Sequence, residues 1–145
     1  MNPNATITIK SRQVYNDDID DGELNLVTEG EFSVVDGEYK IVYRESKLDE
    51  DGGEYAEDVF TTIQTSGDTV SMWRTDTSFA DMIFEKGKRH HALMSTDAGV
   101  LPLCVVTKSI LKKFDEKGGQ LRLKYNLEIG GHELSENTIL LKIKM

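Results

Sequence analysis

At 145 residues the chain has the length of one ordinary domain, enough to bury about two-thirds of its unfolded surface without help from a disulfide or a metal. With 38% hydrophobic and 30% charged residues it has a globular composition, and no apolar run approaches the roughly 20 residues that a membrane helix needs. The net charge of −9 is concentrated: residues 15–58 carry 16 acidic and 3 basic side chains and the rest of the chain 10 and 14, a balance that argues against nucleic acid as the main partner.

The start, Met1-Asn2-Pro3-Asn4-Ala5-Thr6, has neither the basic residues nor the apolar stretch of a secretory signal, so a cytoplasmic location is expected. Residues 5–14 predict a first strand, and the acidic residues 16–23 a connection at a rim. Phe32-Ser33-Val34-Val35 and Tyr39-Lys40-Ile41-Val42-Tyr43 flank Asp36-Gly37, a dipeptide suited to a tight hairpin turn. Residues 46–58, again acidic, predict a second long connection. Residues 59–65 and 69–75 then flank Ser66-Gly67-Asp68 as another hairpin. Further strands are predicted over 82–85, 90–95 and 100–112, separated by Glu85-Lys86-Gly87-Lys88 and Asp97-Ala98-Gly99. The clearest alternation follows: Leu121, Leu123, Tyr125, Leu127 and Ile129 on one face, Arg122, Lys124, Asn126 and Glu128 on the other. Gly130-Gly131 turns the chain into a last strand with Ile139, Leu141 and Ile143 inward.

No stretch sustains a 3.6-residue period. Sequential hairpins instead predict an all-β domain over residues 1–145, an antiparallel up-and-down meander of about 8–10 strands that closes into a calycin-like barrel, because closure removes exposed edges. A two-sheet sandwich is the alternative.

Several spaced patterns occur in order: Thr62-x-x-x-x-Ser66, Val70-x-x-x-Arg74, Met82-x-Phe84, Gly99-x-Leu101-x-Leu103-x-Val105-x-Thr107-x-x-Ile110, Gly119-x-Leu121-x-Leu123-x-Tyr125-x-Leu127 and Asn137-x-Ile139. In this series the chain resembles the YwiB-like family of small bacterial proteins of unknown function, whose fold is a calycin-like β-barrel. It departs from that family at Asp76, where a Gly is usual, and near Met94, where an aromatic residue is usual. The resemblance implies a barrel and names no catalytic residue. Calycin barrels often carry ligands, so an interior pocket is implied by analogy, a weak warrant for function. The Gly-x-Trp start of lipocalins is absent, and so is the Arg-x-Tyr pair of fatty-acid-binding barrels, since Leu123 stands two before Tyr125.

Within residues 69–75 the phase puts Val70, Met72 and Arg74 on one face, and Ser71, Trp73 and Thr75 on the other. With Val70 and Met72 inward, Arg74 enters the barrel and needs a partner; the same parity puts Glu45 on the face of Tyr39, Ile41 and Tyr43. The expected constellation is a Glu45–Arg74 pair near one mouth, with Tyr43, Thr107 and Tyr125 as hydrogen-bonding neighbours. A guanidinium there would clamp a ligand carboxylate or phosphate. As plain structure, the same pair is a rim salt bridge over a solid core, and with Trp73 inward Arg74 is simply exposed.

His90 and His91 are adjacent on a strand and point to opposite faces, so they do not chelate one ion together, and no metal is expected. Asp49-Glu50-Asp51-Gly52-Gly53-Glu54 lacks the spacing of a calcium loop and reads as solvated carboxylates, as does Asp17-Asp18-Ile19-Asp20-Asp21. Cys104 is expected to be a small buried hydrophobe, and Met72, Met82 and Met94 core fillers. Without a nucleophile elbow, a phosphate loop or a dinucleotide fingerprint, no cofactor is expected. The leading expectation is a barrel that binds a small amphipathic or anionic molecule. Second comes an interaction module without ligand, such as a homodimer, and third an enzyme with a cross-strand site using Glu45, His90 or His91 as base.

Overall fold

A computed structural model describes residues 2–15, 22–48, 54–75, 81–96 and 98–145, the side chains of 45–48, 54–58 and 94–96 excepted. The chain runs through ten strands: β1 (Ala5–Tyr15), β2 (Gly22–Val35), β3 (Glu38–Leu48), β4 (Glu54–Ser66), β5 (Thr69–Arg74), β6 (Met82–Glu85), β7 (Arg89–Thr96), β8 (Gly99–Asp115), β9 (Gly118–Ile129) and β10 (His132–Lys144). They form one sheet in the order β6-β5-β4-β3-β2-β1-β10-β9-β8-β7, and each pair is antiparallel. This is the expected meander, wrapped into a nearly closed barrel. Among the described residues no helix is long and apolar enough to cross a membrane.

Period-2 alternation selects the inner face. Ile7 and Ile9 of β1, Ile41 of β3, Ile63 of β4, Leu121 and Leu123 of β9, and Leu141 and Ile143 of β10 are all buried, while their strand neighbours, the buried Thr62 excepted, face water or the half-covered outside. Asp36 (φ 54°) and Gly37 (φ 78°) both take left-handed backbone, as do Gly130 (φ 59°) and Gly131 (φ 81°). Two consecutive positive φ values match the twist of the flanking strands, so these dipeptides set the hairpins expected of them.

Three expectations are corrected. The strands β2, β3 and β4 reach further than the composition suggests: β2 begins at Gly22, and Ser46 pairs with Asp58 and Leu48 with Glu54 across the second acidic stretch. Backbone pairing that continues an established hairpin outweighs the low strand preference of Glu and Asp. Cys104 is half-buried on the outer face, because Leu103 and Val105 on either side take the inward phase. Thr107 is not a mouth residue; it holds the seam of the barrel.

That seam lies between β6 and β8. The N–H of Glu85 donates to Thr107 Oγ1 (3.3 Å), the N–H of Gly87 to the Thr107 carbonyl (2.9 Å), and Thr107 N–H to the Lys88 carbonyl (3.3 Å). The β6–β7 turn is thereby pinned to β8 just where β8 shifts register between Thr107 and Ser109. One end of the barrel is filled by aromatic rings: Tyr39 and Phe114 have centroids 4.8 Å apart, Phe32 packs on both, and the Tyr39 hydroxyl donates to the Phe114 carbonyl at 3.2 Å.

Candidate functional site

At the other end the inward phase changes character. Along β1, Ile7 and Ile9 are followed by Ser11, Gln13 and Tyr15; along β10, read backwards, Ile143, Leu141 and Ile139 are followed by Asn137 and Ser135. The aliphatic filling stops, and a cavity of about 370 Å3 opens above it. Its wall is largely hydrocarbon, including Ile9, Met72, Met82, Leu103 and Leu127.

Polar groups stand on two sides. In the first, Thr61 of β4 pairs directly with Tyr43 of β3 and with Arg74 of β5, so three inward side chains form a row across three strands. Arg74 shares the phase of Val70 and Met72, as the alternation predicts, and lines the cavity. Tyr43 is 5% exposed and Thr61 1%; Thr61 Oγ1 makes no hydrogen bond among the described residues. In the second, on β1 and β10, the Tyr15 hydroxyl donates to Gln13 Oε1 (2.6 Å), Gln13 Nε2 reaches Ser135 Oγ (3.5 Å), and Asn137 Nδ2 donates to Ser135 Oγ (3.1 Å). The side chains of this second group are hydrogen-bonded to one another.

Tyr125 lies deeper. Its ring meets Phe84 edge-on with centroids 4.8 Å apart, and burial pushes its phenol up to about 12, so it stays a neutral donor at physiological pH.

Of the five residues singled out in the sequence, Arg74, Tyr43 and Tyr125 line the cavity, while Thr107, the direct cross-strand partner of Tyr125, does not line it and has its hydroxyl bound at the seam. The backbone of Glu45 pairs with Val59; its side chain, and with it the expected Glu45–Arg74 pair, lies outside the described residues. Thr61, Gln13, Tyr15, Ser135 and Asn137 also stand at this end of the barrel, where no local motif announces them. On β1 and β10 their signal is the run of polar residues continuing in the inward phase, which marks where the interior turns from dry to wet; Thr61 has no such signal, standing between the buried Val59 and Ile63. The histidines lie elsewhere: His90 Nε2 is 3.0 Å from Glu85 Oε1, and His91 is exposed. Among the described residues no three of His, Cys, Asp and Glu gather in a metal-binding group.

A family described as a domain of unknown function, DUF1934, matches residues 7–141. The chain belongs to the DUF1934 family. The crystal structure of the ywiB protein from Bacillus subtilis resembles this DUF1934 chain with a TM-score of 0.69, at 23% identity, over 97% of this chain and 92% of that one. The YwiB-like resemblance read from the motifs therefore holds, and at this identity the solved structure speaks for the barrel fold alone. No curated protein matches the chain.

Proposed function

We propose that this DUF1934 barrel is a binding protein that takes a small amphipathic molecule into its open end, with the apolar body between Ile9, Met72, Met82 and Leu127 and the polar end at Arg74. The observation that carries this reading is the cavity itself: about 370 Å3, with a mostly hydrocarbon wall and a guanidinium on it. Ligand pockets are commonly of this size and make-up, apolar with a few placed polar groups. The described lining residues include no carboxylate, imidazole or thiol, which favours binding over acid–base or nucleophilic catalysis.

Trp73, the one tryptophan of the chain, lines the same cavity and reports on its occupancy. Titration with anilinonaphthalene sulfonate, an apolar anion, is expected to change Trp73 emission saturably at one site per chain. Arg74→Met, which keeps the stem and removes the charge, is expected to weaken that binding by about tenfold. No saturable change in Trp73 emission with this probe or with neutral apolar dyes would remove the proposal.

A further inference from the structure

The two polar sides of the cavity differ in what they have left to give. On β1 and β10, the Tyr15 hydroxyl, the Gln13 amide, Ser135 and Asn137 each have a partner within the group. On β4, the Thr61 hydroxyl is buried, lines the cavity and has no hydrogen-bond partner among the described residues. A hydroxyl in that state is costly unless water or a ligand serves it, which makes it an address for an incoming oxygen. Its direct neighbour across the β4–β5 ladder is Arg74. A guanidinium carries several N–H donors in a planar fork, so it serves a ligand alongside its contacts within the protein.

We infer that the ligand is a monocarboxylate with an apolar body, one carboxylate oxygen accepting from the Arg74 guanidinium and the other from the Thr61 hydroxyl. The inference rests on the binding reading above and specifies its chemistry. Charge separates the anions: Arg74, which already has a contact within the protein, is the one ionised side chain among the described lining residues, so no second cation there would meet the extra charge of a phosphate monoester in an apolar enclosure. Position agrees, because Thr61 and Arg74 are direct partners on adjacent strands, close enough for one carboxylate to reach both.

The test compares decanoate, decanol and decyl phosphate below their aggregation limits, with Trp73 emission and calorimetry as readouts. Decanoate is expected to bind about tenfold or more tightly than either of the others. Thr61→Val is expected to weaken decanoate by about tenfold and abolish its advantage over decanol, while Thr61→Ser, which keeps the hydroxyl, restores the preference. The empty Thr61→Val protein is expected to melt at the wild-type temperature or above it, since the change removes a buried hydroxyl without a partner; this separates a lost contact from a damaged fold. Equal affinities for decanoate and decanol, a preference for decyl phosphate, or unchanged decanoate binding in Thr61→Val would each overturn the carboxylate assignment while leaving a binding cavity. If none of the three molecules binds, the binding reading itself falls.

Discussion

Thr61 and Thr107 are both buried, both inward, and about 1% exposed, yet their hydroxyls are used in opposite ways. Thr107 Oγ1 accepts the Glu85 N–H, so Thr107→Val leaves a backbone donor without its acceptor at the seam. A loss of about 1–2 kcal/mol in urea unfolding is expected from that substitution, with affinity for cavity ligands little changed. Parity in the sequence gives the face on which both threonines lie; it gives neither their height along the barrel nor which strand crosses the seam. For that reason Thr107 reads as a mouth residue and Thr61 passes unnoticed. Glu38 shows how a surface residue acts through its neighbours. Its carboxylate accepts from the Thr65 hydroxyl (2.6 Å) and the Gly67 N–H (2.9 Å), and these bonds, the Thr65 one first, hold its pKa below the ordinary carboxylate value. A depressed folded pKa means stability that is present above the unfolded value and lost as pH falls through the folded one. The melting-temperature advantage of the wild type over Glu38→Gln is thus expected at neutral pH and should shrink as pH drops through the carboxylate range. An advantage that persists undiminished in acid would assign it to something other than the carboxylate.

At the scale of elements, β9 and the end of β10 are legible because each has one dry and one wet face, and the Asp36-Gly37 and Gly130-Gly131 turns are legible because their φ values suit few other residues. The first half of β2 is not, since Glu23, Asn25 and Glu29 are poor strand formers and nothing in composition reveals that β1 lies beside them. Gly30 is the position where β2 is most constrained. A Cβ there would overlap the Ile7 side chain and the Val42 carbonyl, so β1, β2 and β3 approach one another only because the side chain is missing. Gly30→Ala is expected to cost about 2 kcal/mol or more in denaturant unfolding, because one colliding group is backbone and cannot rotate away.

For the molecule as a whole, the described acidic side chains Glu23, Glu29, Glu31, Asp36 and Glu38 share one sector of the barrel wall along β2 and the start of β3. Their mutual repulsion is a surface term that salt screens within about 10 Å at 0.1 M. The melting temperature is therefore expected to rise between low salt and about 0.1 M sodium chloride; a fall would mean that attractive surface pairs such as Arg89–Glu128 outweigh it.

The pairing of β1 with β10 has a consequence for how the chain comes to be made. Thr6 meets Lys144, so β1 waits until the eight strands between them and then β10 have been made, and meanwhile its free edge is open to any other strand that arrives. The neighbouring hairpins need only local closure, whereas this contact joins distant parts of the sequence and is the slow one by loop entropy. A nascent chain lacking β10 is a sheet with an unsealed flank, and it is at this stage, well before any ligand is met, that the protein is most exposed to aggregation.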